Sequence, residues 1–158
     1  ALNIGDRIWL SPKITGMFTI DQAPEDSHVL MIATGTGLAP YMSMLTTHLI
    51  CGSSRRFAVL HGARHSWDLG YRSELLTLQH LCRNLSYHPV ISRPQAEPAP
   101  WPGKVGYVQD LWTDGSVERA WGVRPSPDNT HVFLCGSPQM IETVVAMLGD
   151  EGLIPDSL

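Results

Sequence analysis

The stretch from His28 to Leu49 limits what this chain can fold into more than any other. An unbroken apolar run, His28-Val29-Leu30-Met31-Ile32-Ala33, leads into Thr34-Gly35-Thr36-Gly37-Leu38-Ala39-Pro40. Beyond it, Leu38, Tyr41, Met42, Leu45 and Leu49 fall on one helical face. A continuous apolar run reads as a strand buried on both faces of a parallel sheet. Its junction with a helix sets free backbone N–H groups beside a helix N-terminus, the arrangement that holds a phosphate or pyrophosphate. Gly35 and Gly37 permit the turn and close approach that a side chain would block, and Thr34 and Thr36 add hydroxyls. A nucleotide is therefore the first ligand to consider; the other reading is a tight connection that binds nothing. The turn is not a standard nucleotide loop. Pro40 stands at the third glycine position of G-x-G-x-x-G, and no Lys-Ser/Thr pair follows.

The pattern after this junction alternates. Strands are expected over residues 28–33, 56–61, 86–92 and 131–135, with Pro89 placing the third at an edge or an irregular start. Helices are expected over residues 72–82, 109–113 and from Pro138 onward. Ser137 is the N-cap of the last, Ile141, Val144, Val145 and Leu148 its buried face, and Gly149 its end. Residues 94–103 hold Pro94, Pro98, Pro100, Pro102 and Gly103 and read as a loop. The reading is α/β, a doubly wound parallel sheet. Residues 7–10 and 17–20, parted by Ser11-Pro12 and Thr15-Gly16, read as two strands without visible partners, the end of something larger.

Composition removes several function classes. A net charge of -4 argues against a surface that coats nucleic acid. No segment approaches the roughly 18 unbroken apolar residues of a membrane span, and no leader sequence is apparent. Cys51, Cys82 and Cys135 are odd in number and lack C-x-x-C spacing, so neither a disulfide framework nor a zinc site is expected. A reducing cytoplasm fits that usage. The seven histidines are scattered, and His28, His61 and His131 lie in strands as packed neutral rings, so no metal is assigned. Hydrolytic signatures are absent.

Positive charge collects where an NAD-specific fold would carry an acid. Arg64 ends the second strand, Ser92-Arg93 ends the third, and Lys104 and Tyr107 follow the proline-rich loop. Guanidinium, ammonium and hydroxyl donors at the carboxyl ends of parallel strands suit a 2′-phosphate, and a tyrosine ring can stack on adenine. Cys135-Gly136-Ser137-Pro138-Gln139-Met140 occupies the same location on the last strand. A polarizable thiol there suits a flat ring; a buried small residue closing a strand is the other reading.

Taken together, Ala33 to Tyr41, Gly62-Ala63-Arg64, Ser92-Arg93, Gly103-Lys104 with Tyr107-Val108-Gln109, and Cys135 to Met140 resemble the ferredoxin-NADP reductase family, in the bacterial ferredoxin/flavodoxin reductase form. The resemblance implies an NADP(H)-binding domain over residues 24–158, preceded by residues 1–23 as terminal strands of a truncated FAD-binding barrel. By the same resemblance Thr34, Gly35, Thr36, Gly37, Leu38 and Pro40 hold the pyrophosphate and nicotinamide side. Arg64, Ser92, Arg93 and Lys104 hold the 2′-phosphate, and Tyr107 the adenine. Cys135, Gly136, Pro138 and Met140 flank the nicotinamide, with Cys135 in the catalytic environment. The implied reaction moves hydride between nicotinamide and FAD and passes electrons to ferredoxin or flavodoxin. The chain is expected to be trimmed at both ends, and to bind nucleotide without turning over. Two further readings stand beside this one: an NADH-preferring reductase component of an oxygenase, and a non-catalytic nucleotide-binding electron-transfer subunit.

Overall fold

β1 (His28–Thr34) runs through the middle of the molecule, and Val29 to Ala33 are fully buried. An apolar run without alternation has no polar face to give to solvent, so helices must cover both sides of it. The structure, a computed structural model, describes residues 3–13 and 16–153. Five parallel strands form one sheet in the order β4-β3-β2-β1-β5, with β2 at Phe57–Ala63, β3 at Leu85–Ile91, β4 at Lys104–Val105 and β5 at Thr130–Cys135.

Alternate side chains of each strand feed two cores. On one face Val29, Met31, Phe57, Val59 and Tyr87 pack under α1 (Ala39–His48) and α2 (Arg72–Leu81). On the other, Leu30, Ile32, Ala58, Leu60 and Val90 meet α3 (Val108–Thr113), α4 (Ser116–Trp121) and α5 (Pro138–Asp150). The expected doubly wound α/β architecture is the one observed.

Several local expectations are met for identifiable reasons. Ser137 caps α5, its Oγ accepting from the Met140 N–H at 3.3 Å, with Pro138 in the first turn. Pro89 is accommodated because β4 reaches only Val90 and Ile91, leaving the earlier part of β3 without an outer partner. Others are corrected. α5 continues one residue past Gly149, and Gly152, at φ 85°, takes the left-handed position instead. Val145 joins neither core. β4 and α4 were not expected; both are too short to show a period.

The strands expected over residues 7–10 and 17–20 do not form, and Thr15 lies outside the described residues, as do residues 154–158 at the end of the expected domain. A strand needs a ladder to satisfy its backbone, and this segment has none. It makes one 3-10 turn, Ile20–Gln22. Ile4, Ile8, Trp9, Leu10 and Met17 remain exposed, whereas Phe18 stands edge-on to Phe133 with ring centroids 5.4 Å apart.

The cysteine expectation is also corrected. Cys51, after α1, and Cys82, capping α2, form a disulfide across a sequence separation of 31, their Cα atoms 4.5 Å apart. Both helices run back to the amino end of the sheet, so the fold itself brings these residues together. Asn84 ties the same corner: its Nδ2 donates to the carbonyls of Ile50 at 3.0 Å and Arg55 at 2.9 Å, and its Oδ1 accepts from the Gly52 N–H at 3.2 Å. No helix among the described residues is long and apolar enough to cross a membrane.

His61 is buried and His88 half-buried in the sheet, and neither Nε2 has a hydrogen-bond partner. Burial pushes each imidazole down to about 4 from an ordinary 6.5, with Lys104 adding to the effect at His88. Below pH 6.5 the unfolded chain therefore binds protons that the folded chain refuses. Stability falls as pH drops from 6.5 toward 4. Urea unfolding at pH 7 and pH 5 should differ by about 1–2 kcal/mol per histidine. Replacing both residues by Gln should flatten this dependence, and an unchanged pH slope in that variant would refute the assignment.

Candidate functional site

The carboxyl ends of all five strands open on one crevice of about 1510 Å³, large enough for an extended dinucleotide. A second cavity, of about 140 Å³ between Trp112, Arg124 and Glu151, is too small for one.

The floor of the crevice is set by backbone meeting backbone. After β1 the chain makes a 3-10 turn, Gly35–Leu38, before α1 begins. A Cβ on Gly37 would lie 2.1 Å from the Cys135 carbonyl oxygen, so this position tolerates only hydrogen. Gly136 answers from the other side, where a Cβ would lie 2.2 Å from Thr34 Oγ1. That hydroxyl accepts from the Ser137 N–H at 3.0 Å, tying the β1 turn to the β5 turn. Gly35 differs. It has φ 55°, and nothing stands within 4 Å of where its Cβ would be, so its backbone faces open space. An open approach to peptide N–H groups at a strand-to-helix turn fits a pyrophosphate.

Across the β2 and β3 tips the geometry is equally local. The Arg93 N–H donates to the Arg64 carbonyl at 2.9 Å, and the Ser92 N–H to the Ala63 carbonyl at 3.0 Å, which holds the two arginines side by side. Both are exposed, and among the described residues neither guanidinium has an ion-pair or hydrogen-bond partner. Arginine's planar donor set is suited to a phosphate. Tyr107 follows β4. Its N–H donates to Asp110 Oδ2 at 2.7 Å, and Gly106, at φ 135°, leaves room for that carboxylate, so the turn presents an exposed ring.

The sequence-derived residues divide cleanly. Thr34, Gly35, Thr36, Gly37 and Leu38 line the crevice from the β1 turn, and Arg64, Ser92 and Arg93 from the next two strands. Tyr107 and Cys135, Gly136 and Met140 complete it at either end. Pro40 and Pro138 lie within helix first turns and are outside the lining. Lys104 also stands outside it. Its ammonium is held by Asp114 and donates to Ser116 Oγ at 2.7 Å. Burial raises the Asp114 carboxyl, but the hydrogen bonds from Lys104 and Ser116 outweigh it and hold the group down to about 2. Residues assigned no role from the sequence also face the crevice, among them Asp68, Tyr71, Gly106 and Thr143.

Cys135 is a free, partly buried thiol at the end of β5, opposite Ala33 in register. No group of three or more His, Cys, Asp or Glu among the described residues could hold a metal ion.

Residues 31–146 match the family model described as the oxidoreductase NAD-binding domain. The chain is 30% identical over 142 residues to the flavodoxin/ferredoxin--NADP reductase of Shigella flexneri, covering 89% of this chain and 56% of that protein. One polypeptide of the Na(+)-translocating NADH-quinone reductase of Serratia proteamaculans is 26% identical over 159 residues, covering 100% of this chain and 37% of that polypeptide. Among solved structures, a ferredoxin NADP+ reductase from Neisseria gonorrhoeae with bound FAD and NADP superposes with a TM-score of 0.70 at 25% identity. That match covers 87% of this chain and 54% of the other. The chain thus spans about half the length of such reductases, 56% and 54% in these two cases.

The two glycine contacts make opposite predictions. Gly37→Ala must displace a backbone carbonyl and should cost about 2 kcal/mol in urea unfolding. Gly35→Ala meets no atom and should cost only the left-handed conformation, about 1 kcal/mol. Equal losses at the two positions would show that the β1–β5 contact is not the constraint described.

Proposed function

Since the chain belongs to the oxidoreductase NAD-binding domain family, we propose that it is the NADP(H)-binding part of a flavin-dependent ferredoxin- or flavodoxin-NADP reductase. The observation that carries this reading is the pair of unpartnered guanidiniums, Arg64 and Arg93, at adjacent strand tips. With Ser92 they form a donor set for a 2′-phosphate. The β1 turn then receives the pyrophosphate, Thr36 offering a hydroxyl and Gly35 an open backbone. Tyr107 stacks on the adenine. At the opposite end Cys135 and the Gly136 turn flank the nicotinamide and keep one face of its ring dry.

The bound nucleotide supplies a hydride at its nicotinamide carbon. This chain's residues orient it; the flavin that exchanges it belongs to a preceding domain. The exposed side chains of Ile4, Ile8, Trp9, Leu10 and Met17 support reading residues 1–23 as the tail of that domain. Ferredoxin or flavodoxin is the proposed electron partner, in keeping with the names of the Shigella and Neisseria relatives. The cytoplasm, where NADP(H) is abundant, is the proposed location.

One observation favours a second reading. Lys104 is engaged by Asp114 instead of facing the crevice, which removes one cation from the 2′-phosphate end and suits a partner of NADH. Titration with NADPH and NADH separates the two. We expect NADPH to bind at least tenfold more tightly. Arg64→Ala and Arg93→Ala should each weaken NADPH binding roughly tenfold and leave NADH within about twofold. Equal affinities for the two nucleotides in the parent protein would favour the NADH reading.

A further inference from the structure

Among the described residues Tyr71 is the one non-glycine residue at positive φ, 55°. Such a conformation is unfavourable for a side chain with a Cβ and persists where the surroundings impose it. Here a glycine stands next door. Gly70 has open space around its Cβ position and is not left-handed, so the turn places its strained position on the tyrosine although a cheaper residue is adjacent. The neighbours enforce it. Leu69 is buried in the protein, and the Arg72 guanidinium lies 5.0 Å from the centre of the Trp101 ring. The Tyr71 carbonyl accepts from the Leu75 N–H at 2.9 Å, starting α2.

The result is a half-exposed ring in the lining of the crevice. It lies beside the β2 tip that carries Arg64 and belongs to the layer of α2, which packs on one face of the sheet through Leu75. Tyr107 lines the same crevice from the layer of α3, which packs on the other face through Val108 and Leu111. The two tyrosines thus line the crevice of the arginine pair from the helix layers on opposite faces of the sheet.

We propose that Tyr71 is a second adenine-binding residue, closing on the ring face that Tyr107 leaves open. This rests on the nucleotide reading above. Aromatic walls on both faces of a base exclude water from it and fix its plane. The adenine plane in turn decides whether the ribose 2′ position faces Arg64 and Arg93, so Tyr71 contributes to nucleotide choice without touching a phosphate.

The test uses Tyr71→Phe, Tyr71→Ala and Tyr71→Gly in the full chain, with 2′-AMP and NADPH as titrants and thermal unfolding alongside. Tyr71→Phe should bind both within about twofold of the parent. Tyr71→Ala and Tyr71→Gly should bind both roughly tenfold more weakly, the equal loss in 2′-AMP assigning the contact to the adenine end. Tyr71→Gly should also melt about 2–4 °C above Tyr71→Ala, because both lose the ring and only glycine relieves the backbone. Parent-like 2′-AMP affinity in a folded Tyr71→Ala protein would overturn the proposal and leave the crevice's assignment intact. Failure of the parent to bind either titrant would overturn both.

Discussion

The approach of the β1 turn to the end of β5 is the contact on which the crevice depends. Gly37 lies against the Cys135 carbonyl and Gly136 against the Thr34 hydroxyl, each where a single methyl group would not fit. Thr34 fastens the pair through the Ser137 N–H. Such a contact is possible only because β1 and β5 are neighbours in register, Ala33 beside Cys135, and they are neighbours because β1 is buried on every side. A strand with an apolar, fully buried run at Val29–Ala33 thereby determines the shape of a polar site just beyond its end. Close-packed interiors transmit displacement and do not absorb it, so the site inherits its precision from the core.

Parallel strands also sort the chain's loops by task. Turns at the carboxyl ends carry the arginines, the tyrosines and the open glycine. Those at the amino ends carry the cross-links: the Cys51–Cys82 disulfide and the hydrogen bonds that radiate from Asn84. The linking helices are short, ten residues each in α1 and α2. A corner tied at one end of such a layer therefore steadies the α2 N-terminus, and with it Tyr71, at the other.

What could be read from the sequence was what local order decides. The run at residues 28–33 announced a buried strand because no residue in it could face water, and Ser137-Pro138 announced a helix start because cap chemistry occupies two positions. Arg64, Ser92 and Arg93 were found by counting to strand ends, a rule the parallel topology guarantees. The larger failures concern partners distant in sequence. Nothing local to Lys104 shows that Asp114 will engage it, and nothing near Cys51 points to Cys82. Residues 7–10 and 17–20 have the composition of strands but need a ladder, which composition does not provide. The left-handed backbone of Tyr71 was not expected for another reason: it is unfavourable for that residue type, and propensity reasoning is blind to positions where the fold overrules it.

The Lys104–Asp114 pair carries a further consequence. The ammonium already has a carboxylate and a hydroxyl for company, so any phosphate that called on it would be competing with an internal anion already in place. The protein carries its own occupant for that part of the surface, and the occupant is covalently tethered ten residues away, at a local concentration no free nucleotide matches. On the proposed reading, discrimination at the 2′ position is thereby left to the two arginines, whose planar guanidiniums have no internal carboxylate among the described residues to displace.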